Sequence, residues 1–264
     1  MGPDTALKTP AMIAELDDQV PVGGLILTSR LPIPSSWPFL ALSLDPARVR
    51  YAQALTDPNT GRALFRAESR LTLPGPADVW LWQALEDVPS GELALAGPVS
   101  RGPSLAWITL SDKGAAGLRT DSAGPAVEEI LGAAMSLSGT RGFLLPDEPD
   151  RLKALVVDLA LHQGVDLVIT TGGTGLAPRD TTPEAVQTLL DRRLPGFEQA
   201  MMNASLAKTP HAAISRAVCG TIGRSIVVTL PGSPKAVREN LAAVAPALAH
   251  ALAKLQGDPS DCAQ

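Results

Sequence analysis

The chain has 264 residues, 45% of them hydrophobic and 19% charged, with a mean hydropathy of +0.13; such a chain can bury a real core and is unlike a disordered or low-complexity one. Its formal net charge of −5 lacks the basic footprint of a general nucleic-acid binder, so an anionic ligand must meet local basic residues. Cys219 and Cys262 lie far apart and suggest neither a disulfide framework nor a metal knuckle, no apolar run approaches the ~20 residues of a membrane helix, and the start carries Glu15, Asp17 and Asp18 rather than a leader pattern; a soluble, cytoplasmic protein is expected.

The chain has two characters. Three of its four tryptophans, its only tyrosine and 13 of its 24 prolines precede residue 104. Short apolar runs broken by proline predict strands at 22–29, 38–44, 47–56 and 62–73, with Asp57-Pro58-Asn59-Thr60-Gly61 as a hairpin turn. Val79, Trp80, Leu81, Ala84, Leu85 and Val88, after Pro74-Gly75-Pro76, fall near helical spacing and predict a helix over 77–88. The expectation for 1–103 is a small β-rich domain of unassigned role, closed by a Gly/Pro linker at 97–104.

After that linker the rhythm changes to apolar runs alternating with amphipathic segments, which predicts an α/β domain over 104–257 with a doubly wound, mainly parallel sheet, and a short tail over 258–264. Strands are expected at 105–110, 141–145 and 165–170, and a hairpin joins 216–222 to 225–230 through Gly223-Arg224. Helices are expected at 123–136, 149–162, 183–191, 196–207 and 234–255.

In such a sheet ligands bind beyond the carboxyl ends of the strands. The loop after 165–170 carries Gly172, Gly173, Thr174 and Gly175, then Arg179-Asp180 and a helix start at Thr182-Pro183. Glycines let backbone N–H groups close on phosphate oxygens, although neither a Walker loop nor a G-x-G-x-x-G fingerprint is present. The loop after 105–110 offers Ser111, Asp112 and Lys113, while Asp121 or Ser122 reads as a helix cap. Asp147 in Pro146-Asp147-Glu148 reads on spacing alone as a cap for helix 149–162, with a Mg²⁺ carboxylate as the alternative. Gly232, Ser233 and Lys235 open the last helix, where a first-turn lysine suggests an anionic ligand.

Together the motifs L-S-D-K-x₃-G-x₃-D-x-x-G-P, P-D-E, T-T-G-G-T-G-x₃-R-D-x-T-P-E-A, I-S-R and L-P-G-S-P-K-A-V-x-E-N-L resemble, in that order, the MogA/MoaB family and the gephyrin G domains. The resemblance covers about 104–256. It implies a molybdopterin-binding fold, a homotrimer, and adenylyl transfer from Mg-ATP to molybdopterin, with hand-over to a MoeA-like molybdate-insertion protein. Ser-Asp-Lys in the first loop favours this branch over MoeA and CinA-like relatives, whose first loop resembles G-D-E-L/I.

Carried over by motif, Asp147 and Asp180 match the acidic positions associated with Mg²⁺ and catalysis. Gly172, Gly173, Thr174 and Gly175 match the phosphate loop. Ser111, Asp112, Ser215, Ser233 and Lys235 match positions near the pterin or its phosphate. Arg179, Lys113 and Lys235 could offset further charge, although Arg179 and Lys113 could equally salt-bridge a neighbouring aspartate. The nucleophile, a phosphate, is already anionic, so His162, His211 and His250 read as ordinary surface or core residues. A non-catalytic protein that binds or delivers molybdopterin is the competing expectation.

Overall fold

The computed structural model describes residues 12–29, 39–42, 44–72 and 78–259. Cys262, most of the 258–264 tail, the Pro74-Gly75-Pro76 opening and parts of the expected 38–44 strand lie outside the described residues. The chain divides into two compact units, Met1–Arg101 and Gly102–Gln264.

In the first unit, β1 (Met12–Leu16), β2 (Leu25–Ser29), β3 (Phe39–Ala41), β4 (Ala54–Thr56), β5 (Ala63–Thr72), β6 (Asp78–Ala84) and β7 (Gly91–Val99) form one sheet. Its order is β1-β7-β4-β5-β6-β2-β3, and among the described residues only β2 and β3 pair in parallel. The expected helix over 77–88 is a strand instead. Trp80, Trp82 and Ala84 are buried while Leu81 and Gln83 are only partly so, an alternation with period two that Trp and Val favour in a pleated surface. Both indoles find acceptors: Trp82 Nε1 donates to Thr28 Oγ1 at 2.8 Å and Trp80 Nε1 to Pro46 O at 3.0 Å.

The expected strand 47–56 shortens to β4 because Pro46–Arg48 makes a 3₁₀ turn. Proline fixes φ there, and Asp45 accepts the Ala47 N–H at 3.1 Å, which starts a turn rather than a strand. The Asp57–Gly61 hairpin closes as its residue types suggest: Asp57 accepts the N–H groups of Asn59 and Thr60 at 2.7 and 2.9 Å.

The second unit contains β8 (Ser104–Leu110), α1 (Asp112–Ala115), α2 (Ala123–Ala134), β9 (Gly139–Leu145), α3 (Pro149–Val157) and β10 (Leu167–Thr171). It continues with α4 (Thr182–Gln187), β11 (Arg192–Arg193), α5 (Pro195–Leu206), β12 (Cys219–Ile222), β13 (Ser225–Leu230) and α6 (Pro234–Leu255). The sheet order is β11-β12-β13-β10-β8-β9. β13, β10, β8 and β9 run parallel to one another, while β12 and β11 are added antiparallel.

Period-two alternation sends Leu105, Leu167, Ile169, Ile226 and Val228 to one face, where they form a core with Val127 and Leu131 of α2 and Leu241, Val244 and Leu248 of α6. Leu152 and Val156 of α3 are buried outside that cluster. Each such aliphatic side chain contributes roughly 1.5–3 kcal/mol when fully buried. The amino ends are tied by a buried carboxylate: Asp166 accepts from Ser104 N and Oγ at 2.8 Å each and from Gln256 Nε2 at 2.6 Å. The parallel strands thereby present their carboxyl ends, and the loops that follow them, on the opposite edge. Among the described residues no helix is long and apolar enough to cross a membrane.

Candidate active site

The glycine loop after β10 is shaped by close approach. Gly172 has φ +102°, its N–H donates to Leu230 O at 2.9 Å, and a Cβ there would lie 2.5 Å from Leu110 O. Gly173 has φ +64°, and a Cβ would lie 2.3 Å from Thr182 Oγ1. Only glycine fits two such positions in succession. The N–H groups of Gly173, Thr174 and Gly175 donate to no protein acceptor among the described residues, so three donors stay available to an anion.

Ser111 caps the short α1, its Oγ accepting the Gly114 N–H at 3.1 Å. Asp112 then meets Asp147 across the β8 and β9 loops: Asp147 N donates to Asp112 Oδ1 at 3.0 Å, and Asp112 N donates to Asp147 Oδ2 at 3.3 Å. Arg179 pairs with Asp112, Nη2 to Oδ2 at 2.8 Å, which is the salt-bridging role the sequence left open for it. Asp147 does not cap the next helix; Glu148 occupies that position and makes no side-chain cap bond. Asp121 caps instead of Ser122: it accepts from Ala123 N and Gly124 N at 2.9 and 3.1 Å, and from Thr109 Oγ1 at 2.7 Å.

These loops surround one cleft of about 730 Å³. Ser111, Asp147, Asp180, Ser215, Gly232, Ser233 and the run Gly172, Gly173, Thr174, Gly175 line it. Asp112, hydrogen-bonded to Asp147, is not part of the lining, and Lys235 is exposed on the first turn of α6, also outside it. Sequence reasoning missed Arg119, Ser205, His211 and Glu239, which complete the wall. Arg119 is exposed and makes no ion pair among the described residues.

Burial pushes the Asp147 carboxyl above its ordinary value, the Asp112 N–H pulls it back, and the neighbouring Asp112 and Asp180 carboxylates raise it further against Arg179. A carboxylate held in that environment gains from a cation. Among the described residues no three His, Cys, Asp or Glu side chains are grouped to hold a metal ion. Two carboxylates with open positions fit a Mg²⁺ whose remaining ligands are phosphates and water. Cys219 is no candidate nucleophile: burial and Glu198 push its thiol up to about 12.

Comparison with known proteins relates the second unit to molybdopterin proteins. Residues 106–250 match the family model described as "Probable molybdopterin binding domain". The chain is 38% identical over 161 residues to gephyrin from Dictyostelium discoideum, covering 58% of this chain and 22% of gephyrin. It is 35% identical over 153 residues to a molybdopterin adenylyltransferase from Helicobacter pylori, covering 57% of this chain and 86% of that protein. The crystal structure of the molybdopterin biosynthesis enzyme MoaB from Thermus thermophilus superposes with a TM-score of 0.54 at 45% identity, over 60% of this chain and 99% of that one. The chain spans less than half the length of the first three curated relatives it matches.

Proposed function

This chain belongs to the molybdopterin-binding domain family, and from that premise we propose that it acts in molybdenum cofactor biosynthesis by transferring an adenylyl group from Mg-ATP to molybdopterin. The observation that carries the proposal is the meeting of two carboxylates, Asp147 and Asp180, with a glycine loop offering three free N–H groups around one cleft. Relatives named molybdopterin adenylyltransferase, at 35–37% identity, support it.

In this scheme a terminal phosphate oxygen of molybdopterin forms a bond to the α-phosphorus of ATP, and the bond to the β-phosphate oxygen breaks, releasing pyrophosphate. The nucleophile is an anion at neutral pH, so no side-chain base is needed. The demands are alignment and charge neutralisation. Mg²⁺ would supply Lewis-acid neutralisation on the ATP phosphates, and Asp147 and Asp180 are the residues that would hold it. Gly173, Thr174 and Gly175 bind phosphate oxygens through N–H groups. Gly232 and Ser233, with Ser111 and Ser215, orient the pterin and its phosphate, while Asp112, ion-paired to Arg179, and Lys235 lie outside the lining. Arg119, the one Lys or Arg in the lining among the described residues, adds positive charge.

Incubation with molybdopterin and Mg-ATP tests this: adenylyl-molybdopterin and pyrophosphate should accumulate together. Molybdopterin bound with no pyrophosphate released would mark a binding or delivery protein instead. The family resemblance further supports a cytoplasmic homotrimer, a doubly wound sheet, and hand-over to a MoeA-like partner, with residues 104–257 as the active domain, 1–103 as an accessory one and 258–264 as a tail.

A further inference from the structure

We infer that Arg216 is a positioning residue of this site, holding the glycine loop and Asp180 in one arrangement from behind the cleft; the inference rests on the adenylyltransferase reading and adds a residue to it. Ser215 lines the cleft and Arg216, the next residue, does not. Its guanidinium turns to the protein with all three nitrogens. Nε donates to Gly175 O at 3.0 Å, and Nη2 donates to Gly175 O and to Asp180 O at 2.5 Å each. Nη1 pairs with Glu184 on α4. The Arg216 backbone N–H donates to Thr174 O at 3.0 Å.

One residue therefore engages three features of the loop: the carbonyls of Thr174, Gly175 and Asp180. A trans peptide is planar, so fixing the Thr174 carbonyl toward Arg216 turns the Gly175 N–H to the opposite side. Thr182 N–H does the same for the preceding plane by donating to Gly173 O at 3.2 Å. Asp180 is held at both ends: its carbonyl by Arg216, its Oδ2 by the Ala177 N–H at 2.9 Å. A Cβ at Gly175 would lie 2.7 Å from that same Oδ2, so the loop and the carboxylate are in direct apposition. A planar fork satisfies two carbonyls and a carboxylate at once; a lysine ammonium is a point charge and does not.

The test is Arg216→Lys beside Glu184→Gln and Asp180→Asn, with Mn²⁺ standing in for Mg²⁺. Supporting partners of a metal ligand typically carry 10–100-fold in metal affinity, so Arg216→Lys should weaken Mn²⁺ binding in the presence of ATP about tenfold, measured by calorimetry. It should lower kcat comparably while the KM for molybdopterin stays within about twofold. Glu184→Gln, which keeps the guanidinium and both carbonyl contacts, should fall between Arg216→Lys and the parent. In an Asp180→Asn background Arg216→Lys should add little, because both act through one carboxylate.

Unchanged Mn²⁺ affinity in Arg216→Lys, or additive losses with Asp180→Asn, would overturn the assignment. If Arg216→Lys fails to fold, unchanged Mn²⁺ affinity in Glu184→Gln overturns it alone and a weakened affinity supports it. If the parent makes no adenylyl-molybdopterin yet Arg216→Lys weakens its Mn²⁺-ATP binding, the adenylyltransferase reading fails and the role of Arg216 stands.

Discussion

Asp112 and Asp147 each donate a backbone N–H to the other's carboxylate, at 3.3 and 3.0 Å respectively. This reciprocal pair joins the loop after β8 to the loop after β9. It fixes Asp147 at the cleft wall, while Arg179 pairs its guanidinium with the Asp112 carboxylate. Among the described residues, the carboxylate of this pair that makes no ion pair, Asp147, is the one lining the cleft.

Asp147→Asn and Asp180→Asn should therefore leave molybdopterin binding largely intact and reduce adenylylation by about 10²-fold or more, since a charge acting on the transition state is lost while shape is kept. Binding is read by titration and turnover by pyrophosphate release. Loss of molybdopterin affinity in either folded variant would make that aspartate a pterin ligand. Full turnover in both would move the metal site toward Asp112 and Glu148.

The raised Asp147 carboxyl has a signature in stability. Its folded-state value lies above the ordinary 3.8, so the folded protein binds the proton more tightly than the unfolded chain. Stability consequently falls as pH rises through the interval between the two values, and the penalty is fully present above it. Without metal or nucleotide, Asp147→Asn should melt higher than the parent at pH 7. The gap should close as the pH is lowered toward 3.8. A lower melting temperature for the variant at pH 7 would contradict the burial argument.

Two glycines make opposite forecasts. Gly173→Ala places a Cβ 2.3 Å from Thr182 Oγ1 at φ +64° and should both destabilise the fold and disrupt the anion loop, at a cost of about 1–3 kcal/mol. Gly132 sits inside α2, and a Cβ added there would meet nothing within 4 Å, so Gly132→Ala should stabilise by up to about 1 kcal/mol. Denaturant midpoints with unchanged slopes measure both.

Oligomeric state is a separate expectation. Light scattering should return three times the 27.4 kDa chain mass. A monomer at micromolar concentration would contradict the trimer.

Much of the second unit is legible in the sequence because its chemistry is written in loop residues whose types are diagnostic. The Gly172–Gly175 run, Asp147 and the Gly232-Ser233 turn can be placed at strand ends from order alone, and the structure brings them to one cleft. The wall formed by Ser205, His211 and Glu239 is not legible, because it comes from α5, α6 and the turn after α5, where the apolar pattern reports the core and hides a polar flank. Arg216 is visible only as part of I-S-R; its partners are mostly backbone carbonyls, which leave no side-chain signature. In the first unit, β6 reads as a helix because Val79, Trp80, Leu81, Ala84, Leu85 and Val88 fall near helical spacing while Trp80, Trp82 and Ala84 also alternate as in a strand. Only their pairing with β5 and β2 decides it. β1 and β7 alternate too weakly to be separated from loop.

The buried Asp166 carboxylate receives the first residue of β8, Ser104, and the residue just past α6, Gln256. The chain's path into the second unit and its path out are thus latched at one point, on the edge of the sheet away from the cleft. Extra polypeptide can be spliced onto either end without threading past the ligand-binding loops. That is the geometry of a portable module; the segment similar to this one makes up 22% of gephyrin and 86% of an adenylyltransferase.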